Sequence, residues 1–319
     1  MALVPSVGRE PFCWGWCPPL PSGVVVVRVI AAAAGVCLLW GSGWLLIKLG
    51  VTSFPPFLFA GVRGVAAAAL LLAFAAWRKL KWPPSGELAR MFGIGLLMTG
   101  VSNGLVYWAG QYIPSAMSAL LFTGMPFFTA AFAHVLLPGE RVNFWRLVGL
   151  LIGLGGVWLV LSERLVEASS GSLAGELAVV LSAVVWAFCL VLNKKLLRGV
   201  YGTVMTGVQL LSGSAVLLVA GLLVESFGSI QITPLSVSVF ISMVLGQGCL
   251  AYFLYYWLMA EIGPTALSLT SFVTPTIAVV LGVALLSEPA GWRMVAGLAT
   301  VGVGIFVVNV LGQRGVVRR

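Results

Sequence analysis

Residues 140–160 read ERVNFWRLVGLLIGLGGVWLV, and residues 288–308 read EPAGWRMVAGLATVGVGIFVV. A shift of 148 lays one over the other, Glu140 on Glu288, Gly149 on Gly297 and Gly156 on Gly304. A shift of 146 lays WGSGWLLIKL from Trp40 over WAFCLVLNKK from Trp186, which sets Lys48 on Lys194. A shift of 149 brings Pro126 of TGMPFFTA onto Pro275 of FVTPTIAV. The features keep their order in both halves, which is the mark of an internal repeat. The small drift between shifts is a residue or two of insertion.

Outward from these pairs, apolar stretches of helical length fall at about 27–49, 57–77, 90–111, 115–137, 144–162, 173–194, 202–224, 236–260, 264–286 and 291–311. The chain is 60% hydrophobic and 8% charged, with a mean hydropathy of +1.08. A soluble domain carries about 25% charged residues. The composition therefore predicts an all-α integral membrane protein, since barrel strands would show alternating segments of about ten residues instead. Ten spans divide into five and five. An odd number per half turns the second half upside down, so the expected architecture is an inverted repeat of two five-helix halves. The first half covers residues 27–162 and the second 173–311; they follow a disordered leader, 1–26, and precede a basic tail, 312–319.

The net charge of +9 invites a nucleic-acid reading, but its distribution excludes one. Arg78, Lys79, Lys81 and Arg90 fall in one connector, Arg141 and Arg146 in another, and Lys194, Lys195 and Arg198 in a third; Arg314, Arg318 and Arg319 end the chain. The connectors between hold Glu163, Glu167 and Glu176, with Arg164 as their lone basic residue, or little charge at all. This alternation predicts a cell-membrane protein, inner or plasma, with both termini cytoplasmic.

The order W-G-S in the first span, a proline in the fourth with a Glu just beyond it, and a glycine-rich fifth span, all repeated, resembles the EamA type of the drug/metabolite transporter superfamily. The resemblance covers about residues 28–311. It implies a basket-shaped helical bundle with a central cavity and the export or exchange of small metabolites such as amino acids. The leader has no place in that pattern.

A charge at mid-depth in a bilayer costs about 2.5 kcal/mol or more, so polar residues inside spans are the functional candidates. The chain has no Asp, and its nine Glu residues fall outside spans or near their ends. Arg63 is the most interior charge, and the repeat pairs it with Gln209. An arginine there can bind a substrate carboxylate bidentately, or serve as a structural tie that snorkels outward. Asn103, Tyr107 and Gln111 share one face of the third span, and Gln247, Tyr252, Tyr255 and Tyr256 mark the eighth. These stripes read either as matching cavity walls, joined by Trp40, Ser42 and Trp186, or as parts of an interfacial aromatic belt. Lys48, Lys194 and His134 read as interfacial, and Glu140 and Glu288 as caps of the helices that follow them. Pro126 and Pro275 read as hinges or as static kinks, with Thr123 and Thr274 available to the carbonyls they free.

Cys37, Cys189 and Cys249 sit in apolar runs, and CWGWC, with Cys13 and Cys17, has a spacing that fits no common metal or redox pair. No metal site, cofactor or catalytic residue is expected. The glycine spacings G100-VSN-G104 and G149-LLI-G153 predict close helix packing within a monomer or across a homodimer. The expected partners are a small-molecule substrate and the lipid bilayer. A membrane-embedded enzyme acting on a lipid-linked substrate, and a channel, stand as alternatives. The first lacks clustered acids and a nucleophile–base pair, and the second lacks a recurring ring of charge or filter segment.

Overall fold

A computed structural model describes residues 22–137, 144–167, 170–197, 199–255, 257–258, 261, 270–288 and 291–307. The leader through residue 21, the tail, Tyr256 and Glu140 lie outside them. Among the described residues every regular element is helical. Helices α1 (Ser22–Ser53) and α2 (Pro56–Trp77) are followed by a segment in which α3 (Ser85–Gly95) runs through a π-helical stretch, Leu96–Asn103, into α4 (Gly104–Ala109). The next crossing is broken into α5 (Ser115–Phe122) and α6 (Met125–Leu136). Then come α7 (Phe144–Glu167), α8 (Ser170–Leu196), α9 (Gly202–Val224) and α10 (Pro234–Ile241), which enters a second π-helical stretch, Ser242–Leu250. The last two are α11 (Thr270–Leu286) and α12 (Trp292–Phe306).

Seven helical segments are long and apolar enough to cross a membrane, and three shorter apolar helices lie at Leu147–Gly156, Val273–Leu286 and Val295–Gly304. The ten expected spans thus appear as seven full-length candidates and three shorter ones among the described residues.

The contacts between helices repeat the symmetry read in the sequence. Helices α2 and α9 form the most extensive pair, and α7 with α12 the next. In the first pair, a methyl on Gly61 would meet the Leu218 backbone, while one on Gly207 would meet Leu72. The shift of 146 converts each of these contacts into the other. In the second pair Gly156 approaches the Gly297 carbonyl and Gly304 the Gly149 carbonyl, which the shift of 148 likewise exchanges. In both pairs residue numbers rise along one helix as they fall along the other. The mates are antiparallel and related by a local two-fold axis, as an inverted repeat requires. Small residues make this possible, because they let backbones meet where lipid supplies no hydrophobic drive.

Two further pairs obey the same exchange. Helix α1 packs on α11, and α6 packs on α8. At the first of these, a methyl on Gly41 would lie 2.7 Å from Ile277 Cγ2 and 3.0 Å from the Thr274 carbonyl oxygen, next to Pro275. The π-helical stretches also fall at matching positions, beginning at Leu96 and Ser242, 146 residues apart. Such stretches are rare and often sit at functional sites.

Candidate functional site

Arg63 enters the interior from α2 and is 9% exposed. Its guanidinium lies 5.5 Å from the centroid of the Tyr107 ring, close enough for a cation–π contact. Tyr107, 1% exposed at the end of the third crossing, packs its ring 5.9 Å from Phe59 and joins a cluster with Leu217, Val239 and Met243. The expected face-to-face meeting of the two aromatic stripes is not what the structure forms. Tyr107 packs against α2, whereas Tyr252, edge-on, and Tyr255, tilted, meet the Trp40 ring of α1 at 5.6 and 5.1 Å. Arg63 lies beside the first stripe, its guanidinium over the Tyr107 ring. An inverted repeat places mates at opposite depths, so matching stripes need not meet.

The Arg63 Nε, the Tyr107 hydroxyl and the Gln247 Nε2 are buried and have no hydrogen-bond partner among the described residues. Gln247 lies in the second π-helical stretch with its amide against Gly43 of α1, where a methyl would come within 2.8 Å of Nε2. Asn103, half-buried, closes the first π-helical stretch one turn before Tyr107. Gln111 is exposed and bonds back to the Trp108 carbonyl at 3.2 Å, as an interfacial residue does.

Gln209 is no mirror of Arg63 in its chemistry. Its Nε2 donates to Asn193 Oδ1 of α8 at 2.7 Å, and it is 5% exposed. Sequence reasoning passed over Asn193, although it stands beside Lys194 in an otherwise apolar run. Trp186 packs edge-on to Phe122 at 6.0 Å, and Phe122 also meets Trp44 at 5.2 Å, so α1, α5 and α8 share an aromatic seam. Ser42 returns its hydroxyl to the Leu39 carbonyl at 3.1 Å. A cavity of about 340 Å³ opens between α2, α9 and the second π-helical stretch. Its lining is mostly apolar, with Leu70, Phe74, Thr206 and Cys249, and it includes Tyr252 alone of the sequence candidates.

Three charged residues have different roles from those expected. Lys48 Nζ donates to the carbonyls of Gly110 at 2.8 Å and Ile113 at 3.1 Å, so it ties α1 to the turn after α4 instead of reaching for lipid. Glu288 does not cap the helix that follows it. Its carboxylate accepts from the Ser115 and Ala116 amides at 2.7 and 2.9 Å and from the Ser115 hydroxyl at 3.0 Å, capping α5 instead. Glu225 does the same for α2, accepting from the Phe57 and Leu58 amides at 2.9 and 2.8 Å. Negative charge at a helix start satisfies orphan amides and the positive dipole end together. Glu176, read as a connector residue, is 1% exposed in α8. Lys194 and His134 are exposed.

Pro126 and Pro275 differ. The fourth crossing breaks at Thr123–Gly124, and Pro126 is the second residue of α6, where its missing amide is not needed. Pro275 lies inside an unbroken α11. Thr123 and Thr274 donate to the carbonyls of Ala119 and Thr270, both at 2.7 Å, four residues back from themselves. The proline-freed carbonyls are those of Phe122 and Ser271, so the threonines do not serve them. No group of three or more metal-ligating side chains occurs among the described residues.

The profile of the EamA-like transporter family matches residues 27–162 and 173–310. The inner membrane transporter YedA of Escherichia coli K12, itself uncharacterized, is 32% identical over 272 residues, 82% of this chain and 84% of YedA. The uncharacterized transporter YoaV of Bacillus subtilis is 25% identical over 284 residues, 88% of this chain and 97% of its own. A solved crystal structure at 21% identity shares the fold with a TM-score of 0.64 over 90% of this chain and 99% of its own.

Proposed function

Because the chain belongs to the EamA-like transporter family of the drug/metabolite transporter superfamily, we propose that it moves small metabolites such as amino acids by alternating access, as an exporter or exchanger. The observation that carries this reading is the exchange of contacts between antiparallel mates. Two halves that pack on each other by equivalent contacts can rock about their shared axis and open one site to either side in turn. In this reading α7, α11 and α12 also cross the bilayer, giving ten spans with both termini cytoplasmic, in line with the basic connectors. The site is drawn from Trp40, Ser42, Arg63, Asn103 and Tyr107 of the first half and from Trp186, Gln209, Gln247, Tyr252 and Tyr255 of the second.

No Asp is present to carry a proton at mid-depth, so uniport or exchange is favoured over acid-driven coupling. Counterflow in proteoliposomes with a panel of labelled amino acids and related metabolites tests the proposal. The expected result is trans-stimulated uptake of at least one of them. Single-channel currents, or no exchange across the whole panel, would overturn it. If an imposed pH gradient drove uptake stoichiometrically, exchange would be wrong, and Glu176→Gln would tell whether that buried acid carries the proton.

A further inference from the structure

Three donor atoms on three crossings are buried without a partner among the described residues: Arg63 Nε, Tyr107 Oη and Gln247 Nε2. Buried donors are nearly always satisfied, and each left unpaired is costly, most of all on a charged group. Arg63 is moreover the only buried cation among the described residues. The two buried carboxylates described are Glu288, engaged with Ser115 and Ala116, and Glu176 of α8. No described carboxylate forms an ion pair with Arg63, whose recorded contact is the Tyr107 face.

We propose that these donors are a recognition site for the carboxylate of a singly charged solute with an apolar or aromatic body. The inference rests on the transport reading and names its substrate class. A guanidinium presents two parallel donors that match a carboxylate, and the Gln247 amide and Tyr107 hydroxyl add donors from the other walls. One buried cation balances one negative charge, which selects a monocarboxylate over a phosphate dianion. The Arg63 charge repels an ammonium, and the Arg63 Nε and Gln247 Nε2 can only donate, so the carboxylate end is the one held here. The body has apolar and aromatic surface beside it, from Phe59 and Met243 around Tyr107. The mate position shows the contrast, since Gln209 is already satisfied by Asn193. The positive charge that answers the carboxylate therefore comes from the first half, with Gln247 of the second half adding a neutral donor.

The test uses the purified full chain in detergent and acid–amide pairs of matched shape, from acetate and acetamide to indole-3-acetate and indole-3-acetamide. Thermal stabilisation is followed against concentration. At least one acid is expected to stabilise the protein while its amide does not. Arg63→Gln should weaken that acid about tenfold or more, as loss of a charge-assisted contact does. Gln247→Leu and Tyr107→Phe should weaken it severalfold and leave the acid preference in place. A purely structural Arg63 would shift the melting temperature without touching the preference. The inference is overturned if no acid outperforms its amide, or if Arg63→Gln keeps the preference. Should Arg63→Gln fail to fold, Gln247→Leu and Tyr107→Phe decide, and undiminished acid binding in both overturns it. Wild-type proteoliposomes separate the two readings. Counterflow of neutral solutes and of no carboxylate keeps transport and sinks this inference, whereas acid-selective binding without any counterflow sinks transport and keeps it.

Discussion

Helices α2 and α9 are one design used twice, yet Arg63 and Gln209, which the repeat superposes, meet opposite fates. The packing positions around them stay in step: Gly61 meets Leu218 as Gly207 meets Leu72, and Ala68 clusters with Leu210. The polar position diverges. Gln209 closes a hydrogen bond to Asn193 at 2.7 Å, whereas the Arg63 Nε has no partner among the described residues. The difference teaches which part of an inverted repeat is free to change. A packing residue is answerable to its own mate across the axis, so a change in one half strains both. A polar side chain aimed away from that seam has no such constraint, and it is there that the halves take on separate roles.

The largest expected effect tests the packing side of the comparison, where the symmetry is not perfect in detail. A methyl on Gly61 would lie 2.5 Å from the Leu218 amide nitrogen and 2.6 Å from its Cα, and a backbone cannot turn aside. A methyl on Gly207 would lie 2.6 Å from Leu72 Cδ2, the end of a side chain that can change rotamer. Gly61→Ala is therefore expected to destabilise by about 3 kcal/mol, at the upper end of overpacking, and Gly207→Ala by about 1 kcal/mol. Thermal unfolding in detergent reads both. Equal losses would show that the two sides of the seam are equivalent after all.

The next effect is on the polar pair and carries opposite signs. Gln209→Leu leaves the half-buried Asn193 Oδ1 without its donor and should destabilise by about 1 kcal/mol. Arg63→Met removes an uncompensated buried cation and should raise the melting temperature of the solute-free protein while carboxylate transport collapses. Stability gained as function is lost marks a residue kept for its chemistry. If Arg63→Met instead melts earlier, the guanidinium is a structural tie and the asymmetry between halves is one of stability alone.

Much of the fold was legible because its signals are long. An apolar run of about 20 residues needs no partner to be recognised, and the glycines at 149, 156, 297 and 304 announced a seam that the structure forms between α7 and α12. The candidate site was legible only as an inventory. That Arg63, Tyr107 and Gln247 would all carry unpartnered donors depends on how three helices pack, which no local pattern records. Glu288 reaches a helix start 173 residues away in sequence, and the nearest helix looked the better guess. Lys48 reads in sequence as an interfacial anchor, because the carbonyls it binds belong to a turn some 62 residues on. The π-helical stretches left no compositional trace, since their residues differ from ordinary helix only in how the backbone hydrogen bonds are counted off.

The smallest expected effects belong to the two prolines, and they sharpen the comparison most finely. In sequence both read alike, as hinges or as static kinks, but only Pro275 occupies the interior of a helix. Its replacement by Ala supplies an amide to the Ser271 carbonyl and stiffens α11 where that helix lies against Gly41 of α1. Transport should slow severalfold with little loss of folded protein. At Pro126 the chain has already broken at Thr123–Gly124, and the residue begins a helix where proline suits the geometry. Pro126→Ala should change stability by less than about 1 kcal/mol and leave the rate nearly unaltered, since only the unfolded chain gains freedom. Initial rates of counterflow, normalised to folded protein in the membrane, give the ratio between the two variants. Equal slowing would restore a symmetric pair of hinges. No slowing in either would leave two static bends, and the rocking of the halves would then have to pivot on the glycine seams of α2–α9 and α7–α12.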